Sequence, residues 1–314
     1  MYRRILVPLD GSELAEQVLP YVRILGKSLP ARIELLRVFE PVSPSLADPA
    51  HGLYLHRIIT SVRTQMQDYL DSVAASLRKD GLTVSTIVHE GNPAPSIVQE
   101  SETVPDTMVA MCTHGRSGIT RWVLGSTTDK VLHATSHPIL IVRVRHQQGD
   151  RAKVKLRSLL VPLDGSTIAE QALPHAVALA TALGLNIILL KVTQSAEEYP
   201  LPASDFAGYP LARIEGLIEQ RDAEAQEYLE TVCERLREQG LASVEGRVVH
   251  GHPGGTIIDL SREIPHCMVA MTTHGVSGID RWIRGSVADR VVRHSTDPVL
   301  VIRATKEISG EALL

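Results

Sequence analysis

Short apolar runs that close on Pro, Asp or Gly alternate along this chain with longer stretches in which apolar residues recur every three or four positions. The first run, RRILVPLD at 3–10, reads as a buried parallel strand. From Ser12 to about Ser28 the residues Leu14, Val18, Leu19, Val22 and Leu25 share the spacing of one helix face. IELLRVFE follows as a second strand, and a Pro-rich loop at Pro41 to Pro49 leads to a long helical pattern from about Leu53 to Lys79, stopped by Asp80 and Gly81. LTVSTIVHEG is a third strand, a short helix is expected from about Pro95, and TMVAMCTHG is a fourth strand. Beyond a glycine-punctuated loop, Ser126 to Ala134 is helical and PILIVRV is a fifth strand. Strands that alternate with helices need crossover connections, which predicts a mostly parallel sheet with helices on both faces.

The whole pattern then occurs again. LVPLDGS at Leu6 to Ser12 returns unchanged at Leu160 to Ser166, AEQVLP at Ala15 returns as AEQALP at Ala169, and MVAMCTHGRSGITRWVLGS from Met108 returns as MVAMTTHGVSGIDRWIRGS from Met268. A repeat of this length is one complete domain. The second copy is slightly longer, mostly between Val192 and Tyr228, where PLPASDFAGYP has the character of a surface loop. HQQGDRAKVKLR at His146 to Arg157 is polar and without apolar period, so the boundary is expected near Asp150, with domains at 1–150 and 151–314. The fold class expected is α/β, as two tandem Rossmann-like domains, each a mostly parallel five-stranded sheet.

Composition narrows the partners. At 314 residues and 44% hydrophobic content the chain can fill two aliphatic cores, although it holds only two Trp and two Phe. A net charge of −4 supplies no field for a polyphosphate backbone, so nucleic acid is not an expected partner. Cys112, Cys233 and Cys267 form neither a paired framework nor a CxxC unit, which fits a reducing compartment. No signal-like segment or membrane-length apolar stretch is read, so a cytoplasmic protein without a membrane partner is expected.

In an open sheet of this kind the ligand crevice lies beyond the carboxyl ends of the strands, where strand order reverses. PLDGS after strand one and THGxSG after strand four both fall there and can face one another. Gly115 and Gly118, then Gly125-Ser126 at a helix start, let main-chain N–H groups approach an anion, and the helix N-terminus adds unpaired donors. The plainer reading of Ser126 is an N-cap with Asp129 completing S-x-x-D, as Ser286 does with Asp289. His250-Gly-His252 has a short spacing that metal sites use, but copy one has His89-Glu-Gly-Asn at that place, and no metal ligand is assigned.

The order of LVPLDGS, THGxSG and a later Gly-Ser, present in both halves, resembles the universal stress protein family. Its ATP-binding members carry G-x2-G-x9-G-S/T, which here falls on Cys112, Gly115, Gly125 and Ser126, and again on Thr272, Gly275, Gly285 and Ser286. The first glycine of the motif is replaced in both copies. The resemblance implies ATP or another adenine nucleotide as cofactor, with or without Mg²⁺. It places Asp10 and Asp164 near the ribose hydroxyls, beside Pro8 and Pro162. It offers main-chain groups of Val38 and Val192 to the adenine edge, with Met111 and Met271 walling the base. It sets Ser126 with Thr127, and Ser286 with Val287, on phosphate oxygens, with His114 and His274 in the same loop.

An enzyme is the rival class. No Ser-Gly-Gly-x-Asp-Ser loop, GxxxxGK followed by Ser or Thr, GxSxG elbow or GxGxxG fingerprint occurs at the required place, and no general base is paired with a nucleophile. Slow ATP hydrolysis or autophosphorylation, and a nucleotide-free interaction module, stay open as alternatives to a nucleotide-binding stress sensor. PILIVRV and PVLVIRA are apolar edge strands that need cover. The resemblance implies that they pair the two copies as an intramolecular pseudo-dimer, and it allows a homodimer of the whole chain.

Overall fold

A computed structural model describes residues 2–40, 52–113, 124–144, 154–193, 211–273 and 286–304, with the backbone alone at 52–55 and 211–215. The chain divides into two units, Met1–Val154 and Lys155–Leu314. The expected cut near Asp150 lies outside the described residues.

Unit 1 contains β1 (Arg4–Pro8), a 3-10 turn (Ala15–Val18), α1 (Leu19–Ser28), β2 (Arg32–Phe39), α2 (Gly52–Lys79), β3 (Val84–Glu90), α3 (Pro93–Ser101), β4 (Thr107–Cys112), α4 (Ser126–Ala134) and β5 (Ile139–Val142). Unit 2 repeats it as β6 (Ser158–Pro162), α5 (Thr167–Glu170), α6 (Leu173–Leu183), β7 (Asn186–Thr193), α7 (Leu211–Glu238), β8 (Val244–His250), α8 (Pro253–Glu263), β9 (Cys267–Thr272), α9 (Ser286–His294) and β10 (Val299–Ile302). Strand order is β3-β2-β1-β4-β5 in unit 1 and β8-β7-β6-β9-β10 in unit 2, with parallel neighbours throughout each unit.

One element differs from expectation. The single helix read from Ser12 is a short first turn followed by a fresh helix, in both units. Pro20 and Pro174 sit in the first turn of that second helix, the place where a missing N–H breaks no helical bond.

Helices on both faces explain the near-continuous apolar strands. All six residues of β4 and of β9 are buried, as are Ile5, Leu6 and Val7 of β1. The long helices offer one apolar stripe each, Leu70, Ala74 and Leu77 on α2 and Ala225, Leu229, Val232 and Leu236 on α7. Ahead of β4 and β9, the matched residues Asp106 and His266 hold left-handed backbone at φ 57°, and their carbonyls accept from the N–H of Arg3 and Arg157.

The interiors are not copies. Arg4 is 1% exposed and donates to Glu34 (2.6 Å), the Glu100 carboxylate (3.0 Å), Thr107 (3.0 Å) and the main-chain oxygens of Glu100 (2.6 Å) and Ser101 (3.0 Å). In unit 2 the corresponding positions are Ser158, Ile188, Leu260 and Cys267.

From β1 the chain builds outward through β2 and β3, then crosses to β4 and β5 on the other side. Strand order therefore reverses between β1 and β4, and a crevice opens over their carboxyl ends.

Candidate functional site

The loop after β1 is shaped by its own side chains. The Asp10 carboxylate accepts from the Ser12 N–H (2.9 Å) and the Ser12 hydroxyl (2.6 Å), and that hydroxyl accepts from the Ala15 N–H (3.2 Å). This is an Asx turn that hands directly into the 3-10 turn. Gly11 sits in it at φ +82°, backbone that L side chains rarely adopt. Unit 2 builds the same turn from Asp164, Gly165 and Ser166, at 2.9, 2.6 and 3.1 Å.

Opposite the turn, the end of β4 and the start of α4 are tied together. The Gly125 N–H donates to the Thr113 carbonyl at 2.7 Å, and the Thr128 hydroxyl donates to the Cys112 carbonyl at 2.9 Å. The capping reading of Ser126 is corrected here. Gly125 is the N-cap, Ser126 is already helical, and no side chain caps the helix. Glycine holds the extended conformation an N-cap requires without offering a side-chain oxygen, so no side chain competes for the N–H groups of the first turn.

Between these two loops lies a hollow of about 280 Å³. Pro8, Asp10, Val38, Met111, Cys112, Gly125, Ser126 and Thr127, all singled out from the sequence, line it. Leu9, Ala15, Leu36, Pro93, Ile97 and Thr128 line it as well and were not foreseen. For Pro93 and Ile97 the available signal was the start of α3, since the first turn of a helix that follows a strand returns across the strand ends. The polar features divide between two places, the Asp10 turn and the α4 start, while Val38, Ile97 and Met111 are apolar.

Cys112 does not fill the space. Its Sγ turns to the 3-10 turn and donates to the Ala15 carbonyl at 3.5 Å, and burial pushes the thiol well above its ordinary range. Cys233 and Cys267 are likewise free and buried, with Cys267 pushed up to about 12 by burial.

In unit 2 the counterparts occupy the same edge of their sheet. Pro162 ends β6, Val192 is the penultimate residue of β7, Met271 and Thr272 end β9, and Ser286 and Val287 open α9. Thr272 is 6% exposed. His114, Gly115, Gly118, His274, Gly275 and Gly285 lie outside the described residues. His250 bonds to the Thr193 hydroxyl (3.1 Å) and to Asp222 (3.2 Å), and His252 stands at the N-cap of α8. Among the described residues no group of three or more His, Cys, Asp or Glu is placed to hold a metal ion.

A family model described as the universal stress protein family matches residues 1–143 and again 155–303. The chain belongs to that family. A universal stress protein of Mycolicibacterium smegmatis is 26% identical over 301 residues, covering 95% of this chain and 96% of its own. A universal stress protein of Methanocaldococcus jannaschii is 28% identical over 143 residues, covering 46% of this chain and 83% of its own. The crystal structure of a universal stress protein from Archaeoglobus fulgidus shares the fold, with a TM-score of 0.68 at 23% identity over 96% of this chain and 98% of that one. As a tandem universal stress protein, the chain carries two family domains, and the loops around its hollow are the ones that hold the repeated PLDGS and Gly-Ser segments. No helix among the described residues is long and apolar enough to cross a membrane.

Proposed function

We propose that the chain binds ATP or a related adenine nucleotide at the carboxyl edge of its sheets and acts as a cytoplasmic stress sensor or regulator. The observation that carries this reading is the hollow itself. An aspartate turn and an uncapped helix start face each other across it, with apolar residues between. Asp10 is suited to accept from ribose hydroxyls. The first-turn amides of α4 suit phosphate oxygens, since a helix N-terminus carries unpaired donors and partial positive charge. Val38, Ile97 and Met111 offer an apolar wall to the base. The reading holds with or without Mg²⁺, which binds nucleotides mainly through phosphate oxygens and water and so would enter with the phosphates.

Cys112, where ATP-binding relatives have glycine, favours a second reading, in which the hollow is unused and the protein works through its surface. One experiment decides between them. The purified chain is denatured and the released small molecules are identified by mass spectrometry, and its melting temperature is followed with ATP, ADP, AMP and cyclic AMP. Adenine nucleotide in the released fraction, or a concentration-dependent rise in melting temperature, is expected. No released nucleotide and an unmoved melting temperature with all four would establish the second reading.

A further inference from the structure

Behind each aspartate turn the structure repeats a polar assembly that the motifs do not include. Arg37 of β2 is 8% exposed, and its guanidinium carbon lies 4.8 Å from the centre of the Tyr69 ring on α2. The same guanidinium sits against the turn, with terminal nitrogens 2.7 Å from where a Cβ on Gly11 would stand. The Tyr69 hydroxyl donates to Glu16 in the 3-10 turn at 3.0 Å. In unit 2 the cation is Lys191, 4.6 Å from the centre of the Tyr228 ring and 2.8 Å from the Cβ position of Gly165. Its ammonium donates to the Asp164 carbonyl at 3.1 Å, and the Tyr228 hydroxyl donates to Glu170 at 2.9 Å.

The two assemblies share a charge and an aromatic plate, not a shape. A planar guanidinium and a compact ammonium differ in hydrogen-bond geometry and volume, yet each lies on a tyrosine face and touches the Asp-Gly segment. A ring face attracts a cation electrostatically, and in unit 2 the carbonyl of the aspartate adds a second attraction. Burial and the neighbouring glutamate push both tyrosine hydroxyls well above their ordinary range, so they stay donors and keep the plate anchored.

We propose that Arg37 and Lys191 are positioning residues, whose positive charge, seated on Tyr69 and Tyr228, holds the Asp10 and Asp164 turns in the orientation that meets the ligand. The ligand half of this proposal rests on the nucleotide reading; the turn half does not.

The test uses the full chain in four variants, Arg37→Lys, Arg37→Met, Lys191→Arg and Lys191→Met. Two quantities are read, hydrogen exchange of the Ser12, Ala15, Ser166 and Ala169 amides, and ATP affinity by calorimetry. If charge is what matters, the Arg and Lys exchanges keep turn protection and hold affinity within about threefold. The Met variants, similar in length and apolar, expose the turn amides and bind about tenfold more weakly, the cost of losing one charge-assisted contact. Wild-type protection in the Met variants, or equal damage from Lys and Met at position 37, overturns the proposal. Should the wild type bind no ATP, the nucleotide reading falls and amide exchange alone decides the positioning role. Should the Met variants unfold, Tyr69→Leu and Tyr228→Leu remove the ring and leave the cation. Exposed turn amides then support the proposal and protected ones overturn it.

Discussion

The Asp10 carboxylate holds the Ser12 amide and hydroxyl while its residue lines the hollow, so turn-making and hollow-lining coexist at one position. Residue types at the strand ends were legible because the repeat marked them twice. The direction of a side chain was not: nothing in a linear sequence says that Cys112 turns toward the Ala15 carbonyl. Nor does the helical pattern of α6 show that His175 is desolvated, where unit 1 has Tyr21. Burial pushes this imidazole down to about 4 from an ordinary 6.5. The unfolded chain therefore takes up this proton near pH 6.5 and the folded chain only near pH 4. Between those values the unfolded state binds more protons, and stability falls as pH drops, by up to about 1.4 kcal/mol per pH unit. Urea midpoints measured from pH 7 to pH 4 should show that slope for unit 2, and His175→Gln should flatten it.

At the scale of elements, hydrophobic period located the strands and the long helices among the described residues, because the central strands β1, β4, β6 and β9 are buried between helices and each long helix covers the sheet with one face. What it could not locate were interruptions decided by local backbone chemistry. Leu14, Val18 and Leu19 keep helical spacing across the junction at Pro20, so the pattern runs on where the helix restarts. The S-x-x-D signature at Ser126 likewise cannot distinguish a serine cap from a glycine cap one residue earlier. That one-residue difference yields a prediction. Asp is a better N-cap than Gly by a few tenths of a kcal/mol, so Gly125→Asp should leave the melting temperature unchanged or slightly raised. Its carboxylate would stand where phosphate is proposed, and ATP affinity should fall at least about tenfold. Undiminished binding in a calorimetric titration would place the phosphates elsewhere. The left-handed Asp106 and His266 show another limit, since neither residue type announces that backbone.

For the molecule as a whole, internal similarity made two domains of one family readable from the chain, while the contrast between their interiors needed coordinates. Arg4 is central to that contrast. Arg4→Met removes the cation and leaves Glu34 and Glu100 buried beside one another, at a cost of about 3 kcal/mol or more. Hydrogen exchange should locate the loss in unit 1 and leave the amides of unit 2 as protected as before. Adding Glu34→Ile and Glu100→Leu, with Arg4→Ser in place of the methionine, should restore much of the lost stability by giving unit 1 the apolar chemistry of its sister. Two halves this alike run the risk of trading strands while they fold. β1 delivered into the berth of β6 would bring a guanidinium against Ile188 and Leu260, where unit 1 offers Glu34 and Glu100, and β6 in the berth of β1 would strand two glutamates. The salt-bridged interior thus works as a key cut for one lock, and the variant that equalises the halves should refold with more scrambled product.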